Sequence, residues 1–105
     1  MNAIQFIQQH GVEKAREAIT DHPRYANFVW IYNERITYGV SGFNGATNLI
    51  DLKRLVDSLD LVNDHGGLET IKKCVEKTIF PLSDRIIRMK QAIADYESIF
   101  GGEHV

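Results

Sequence analysis

Residues 28–40, Phe28-Val29-Trp30-Ile31-Tyr32-Asn33-Glu34-Arg35-Ile36-Thr37-Tyr38-Gly39-Val40, decide how the rest of the chain reads. Phe28, Trp30 and Tyr32 alternate with Val29 and Ile31, a period of two in β-branched and aromatic residues that marks a strand. Asn33-Glu34-Arg35 can turn the chain, and Ile36 to Val40 repeats the alternation, so a β-hairpin is predicted over 27–40. Two strands alone are marginal in water, so one face of the hairpin must pack on helices.

Upstream, residues 1–22 read as helical. Asn2 and Gln5 have the spacing of a capping box, with Ile4, Phe6 and Ile7 forming the apolar side of a helix over about 3–10 that Gly11 ends. Val12, Ala15 and Ile19 recur at helical spacing in the next segment, and His22-Pro23 stops it, because proline pushes the preceding residue out of the α region. Downstream, 41–48 is a loop holding Gly42 and Gly45, and 49–101 is helical. Asn48 or Asp51 can cap a helix whose apolar stripe is Leu52, Leu55, Val56, Leu59 and Val62. Gly66-Gly67 breaks it. Leu68, Ile71, Val75 and Thr78 define a short helix ended by Phe80-Pro81, and Ser83 caps the last one. In that last helix Leu82, Ile86, Met89, Ile93, Tyr96 and Phe100 alternate spacings of four and three up to Gly101-Gly102. The expected fold is α+β, a hairpin packed against four to five short helices in a single domain spanning 1–105.

The 105 residues have room for one domain, and 44% hydrophobic with 25% charged residues matches a globular chain rather than a disordered or fibrous one. Twelve Lys and Arg against fourteen Asp and Glu give a net charge of -2, the wrong sign for coating a phosphate backbone, so nucleic acid is disfavoured as a bulk partner. Cys74 has no second cysteine to pair with, the first residues lack a secretory pattern, and no apolar run approaches the ~20 residues of a membrane helix. A cytoplasmic setting without membrane contact is the expectation.

Chemistry-bearing patterns are sparse. His10, His22, His65 and His104 stand far apart and read as loop or helix-end residues, so no metal or other cofactor is expected. Gly39-Val40-Ser41-Gly42-Phe43 lacks the final glycine of a nucleophile elbow, and Gly42 to Thr47 lacks the lysine of a phosphate-binding loop. Together these point away from an enzyme. Asp57, Asp60 and Asp64 fall on one surface of their helix, which a solvated face explains and which could also serve as a general acid/base pair, a cation site or a mimic of nucleic-acid phosphate. The two helices around Gly66-Gly67 would offer Lys72, Lys73 and Lys77 as in a helix-turn-helix, which makes a DNA-binding accessory regulator using 51–78 the alternative reading. Against it, this helix also carries Glu69 and Glu76 and lacks the Arg, Asn and Gln that read base edges.

The hairpin is the stronger candidate for a contact surface. It has two faces and only one can lie on helices, so aromatic area from Trp30, Tyr32, Tyr38 and Phe43 is expected near the surface, with Asn44 as an adaptable polar neighbour. Asp57, Asp60 and Asp64 are the second candidate surface. The regular seam of the last helix suggests two competing uses, packing inside the chain or a homodimer through 82–100.

Met1-Asn2-Ala3-Ile4-Gln5-Phe6, His10 to Ala15, Asp51 to Ser58, Gly66-Gly67-Leu68-Glu69 and Lys90 to Glu97 resemble blocks of small accessory proteins of lambdoid enterobacterial prophages. The resemblance covers the two ends and most of the helical half, and leaves out about 21–50. It implies a phage setting, with a host bacterial protein or defence system as the partner to be modulated or inhibited, and it transfers no catalytic residue.

Overall fold

The computed structural model describes residues 1–80 and 82–101. Pro81, Gly102 and His104, among the residues weighed above, lie outside them. The described residues form five helices and a three-stranded antiparallel sheet, an α+β fold. The contacts gather into two compact units, residues 1–56 and 57–105, divided inside the third helix.

In the first unit α1 (Ala3–His10) carries the expected capping box: the Gln5 N–H donates to Asn2 Oδ1 at 2.8 Å and the Asn2 N–H to Gln5 Oε1 at 3.0 Å. Gly11, at φ 89°, ends α1, and α2 (Val12–Asp21) follows at once. Ala15 and Ala18 are fully buried, and such small side chains let α1 and α2 approach closely. Strands β1 (Phe28–Tyr32) and β2 (Arg35–Gly39) pair as the hairpin. The turn is shorter than the sequence suggested. Asn33 and Glu34 both take positive φ, 50° and 64°, the backbone of a two-residue type I′ turn, so Arg35 joins the strand and Val40 lies beyond it. The loop expected over 41–48 also ends in a strand: β3 (Thr47–Asn48) pairs with the other edge of β1, giving the order β2-β1-β3. Two residues are too few to show a period of two, so only the pairing reveals it.

Helix α3 (Leu49–Asp64) is capped by Asn48, whose Oδ1 accepts from the Ile50 and Asp51 N–H groups at 2.8 and 3.1 Å. Its stripe is buried as read, Leu52, Leu55 and Val56 in the first unit and Leu59 and Val62 in the second. In the second unit α4 (Leu68–Glu76) stops short of Thr78, and α5 (Asp84–Phe100) starts at Ser83, whose hydroxyl accepts from the Ile86 N–H at 3.3 Å. Val62, Ile71, Ile86, Met89 and Ala92 form this unit's core, with Leu68, Val75, Ile93 and Tyr96 against it. The face α5 buries is turned from the seam expected: Ile86, Met89, Ala92, Asp95 and Ile99 are inside, whereas Leu82 is 84% and Phe100 55% exposed. A straight helix repeats every 3.6 residues and drifts off a strict heptad seam. The middle of the seam thus closes on its own unit.

Candidate functional site

The strand register sorts the hairpin's side chains. Val29 faces Tyr38 and Ile31 faces Ile36 on one side of the sheet; Phe28 faces Gly39, Trp30 faces Thr37 and Tyr32 faces Arg35 on the other. Val29 is fully buried and the Tyr38 hydroxyl donates to the Ala18 carbonyl of α2 at 2.7 Å, so the first side is the one packed on helices. Burial, and then the nearby negative charges of Asp21 and Glu17, raise the Tyr38 phenol above its ordinary 10.0.

On the outer side the aromatic rings are braced by glycines. A Cβ on Gly39 would sit 2.7 Å from the Trp30 ring, and one on Gly42 would sit 2.8 Å from the Phe28 ring. Only glycine permits such close approach. The Phe43 ring stands edge-on to Trp30, centroids 4.9 Å apart at 74°, the arrangement favoured by the ring quadrupoles. A turn closed by the Ala46 N–H on the Phe43 carbonyl at 2.9 Å holds Phe43 there. The Met1 ammonium donates to the carbonyls of Asn44 and Ala46, and the buried Thr47 hydroxyl to the Met1 carbonyl at 3.3 Å, fastening the loop that carries Phe43. Tyr32 and Phe43 are 66% and 55% exposed.

Of the hairpin residues singled out from the sequence, the structure brings Trp30 and Phe43 together and puts Tyr32 on the same face. Tyr38 is on the opposite face, because positions 37 and 38 necessarily point apart. Asn44 is an exposed loop residue whose carbonyl is taken by the N-terminus. Asp57 and Asp64 are exposed and Asp60 half-buried, all on the part of α3 in the second unit. Asp57 and Asp60 each have an interaction partner.

A buried polar cluster in the second unit was not foreseen. Arg88 Nη1 donates to Ser58 Oγ at 3.1 Å, Ser58 Oγ donates to Asp95 Oδ2 at 2.6 Å, and Gln91 Nε2 donates to Asp95 Oδ1 at 2.9 Å. Ser58 is fully buried and Asp95 5% exposed, so the cluster ties α3 to α5 and offers substrate no access. The signal was present: Ser58 sits three residues after Leu55 and four before Val62, inside the apolar stripe, as Asp95 does between Ala92 and Ile99. Lys72, one of three lysines on the supposed recognition helix, meets Glu97 at 2.6 Å in a partly exposed ion pair.

The first unit also has a cleft of about 370 Å³ lined by Ile19, Phe28, Leu49, Ile50, Asn27 and Asn48. One atom of each lining amide is engaged, Asn27 Nδ2 donating to the Val40 carbonyl at 3.4 Å and Asn48 Oδ1 capping α3, and His22 and Lys53 complete the polar lining. Among the described residues no three His, Cys, Asp or Glu come together as metal ligands, and no helix is long and apolar enough to cross a membrane. Compared with family models, with curated proteins and with solved structures, the chain has no match.

Proposed function

We propose that this chain is a non-enzymatic protein-binding factor whose contact surface is the outer aromatic face of the hairpin, formed by Trp30, Tyr32 and Phe43. The observation that carries this reading is the exposure of Tyr32 and Phe43 beside a glycine-braced Trp30 on a rigid strand pair. Aromatic side chains held in place lose little entropy on binding, and Trp and Tyr are enriched among residues that dominate interface energy. The resemblance of the helical blocks to prophage accessory proteins supports a host bacterial protein, or a component of host defence, as the partner, met in the host cytoplasm and modulated or inhibited by binding. The test is capture of the partner from enterobacterial lysate, then a measured affinity for the purified pair. Tyr32→Ala with Phe43→Ala should weaken that affinity by about 2–4 kcal/mol with an unchanged far-UV spectrum. A folded double variant that binds as tightly as the parent ends this reading and moves attention to Asp57, Asp60 and Asp64.

A further inference from the structure

The connection between α4 and α5 holds large apolar side chains out in solvent: Ile79 is 80%, Phe80 67% and Leu82 84% exposed. The turn that carries them is tied by the Phe80 N–H, which donates to Thr78 Oγ1, and by the Ser83 N–H, which donates to the Phe80 carbonyl, both at 3.1 Å. Apolar side chains scattered singly over a surface need no explanation, but a cluster rimmed by charge marks a protein or membrane contact. The rim is cationic. Beside the turn, where α4 meets α5, lies a cleft of about 360 Å³ with buried Ile86 and Met89 below and Thr78 and the exposed Lys77 and Arg85 around it. Among the described residues lining it none is acidic, so it favours an anion. Lys73, one turn before Lys77, is exposed as well, and the nearby acids Glu76 and Asp84 do not line the cleft.

We propose that this end of the second unit docks on an anionic lipid surface, with Ile79, Phe80 and Leu82 entering the acyl boundary while Lys77 and Arg85 hold lipid phosphates at headgroup level. The two chemistries of such a surface, apolar below and anionic above, are both matched within this one short stretch. Duplex DNA matches only one of them, because its phosphates have no apolar layer to receive the three side chains. A protein partner would need a complementary pocket for each of them, whereas a fluid acyl layer closes around any projecting set. The stems of Lys77 and Arg85 can lie along the apolar boundary with their charges in water. The chain's net charge of -2 does not oppose this, since salt screens charges more than about 10 Å from the lipid. The expectation of no membrane contact came from the lack of a spanning segment, which this mode does not need. A few apolar side chains and cations give weak, reversible attachment. The proposal does not depend on the aromatic-face reading above.

Flotation of the full chain with vesicles of equal parts phosphatidylglycerol and phosphatidylcholine, against vesicles of phosphatidylcholine alone, reads the docking. The parent should float with the anionic vesicles at low salt and be left behind by the neutral ones, and the bound fraction should fall as salt rises. Phe80→Ser with Leu82→Ser should lower partitioning at least about tenfold, and Lys77→Gln with Arg85→Gln about tenfold. All four positions are exposed, so the far-UV spectra should match the parent's. Phe80→Trp gives a second measurement: anionic vesicles should shift its emission to the blue relative to the parent, which adsorption by charge alone does not produce. A parent left behind by both kinds of vesicle, a folded Phe80→Ser, Leu82→Ser protein that partitions like the parent, or an unshifted Phe80→Trp emission overturns the proposal. Salt-sensitive binding to duplex DNA in place of vesicles overturns it too, in favour of the helix-pair reading.

Discussion

The two compact units hold their shape in different ways. In residues 1–56 the buried side chains are apolar apart from Thr47, and aromatic rings are left outside on the sheet, braced by glycines. In residues 57–105 a carboxylate and a hydroxyl are buried among the apolar residues, and the exposed apolar side chains Ile79, Phe80 and Leu82 gather on the connection between α4 and α5. The difference teaches where to look for function. Rings on a paired strand are held in place before any partner arrives, which lowers the entropy lost on binding. The buried Ser58–Asp95 pair adds directional bonds that fix how α3 and α5 meet, because a hydroxyl shut off from water needs its acceptor in one place.

The largest expected effect tests the apolar side of this contrast. Leu55 is 1% exposed in the middle of the α3 stripe, and Leu55→Ala should cost about 2–5 kcal/mol through lost burial and a residual cavity. Thermal and urea unfolding measure it, and a melting temperature within a degree or two of the parent's would break the account of that core.

A smaller effect is expected from the polar side. Asp95→Ala removes the acceptor of the Ser58 hydroxyl and of the Gln91 amide, at about 1–3 kcal/mol. Combining it with Ser58→Ala should cost less than the sum of the two single changes, since the double variant leaves no buried hydroxyl unsatisfied. Strict additivity in a double-mutant cycle would mean that the pair does not act as a unit.

Tyr38→Phe should have the smallest effect, about 0.5–1.5 kcal/mol for the bond to the Ala18 carbonyl. The pH dependence sharpens it. Because the folded phenol titrates above its ordinary 10.0, mainly from burial, its contribution is fully present below that pH and is lost as pH rises through the higher folded value. Alkaline melts of the parent should therefore fall above about pH 10, and those of Tyr38→Phe should fall less. Equal slopes would place Tyr38 outside the packed face.

The sequence by itself determined the five helices, the hairpin, the alternation along β1, the capping residues Asn2 and Ser83 and the α3 stripe, because capping and period are local properties carried by neighbouring residues. Of the aromatics it put forward for the surface, Trp30, Tyr32, Tyr38 and Phe43, Tyr32 and Phe43 are the exposed ones. The tertiary structure alone decided what depends on residues distant along the chain. Tyr38 belongs inside because the two-residue turn sets the register that pairs it with Val29. Strand β3 exists because β1 offers it an edge, and two residues have no period of their own. Ser58 and Asp95, thirty-seven positions apart, look like flaws in two separate stripes until α3 and α5 bring them within 2.6 Å. The face that α5 buries follows from what packs on it, since a helix with apolar residues on more than one side takes its orientation from its neighbours.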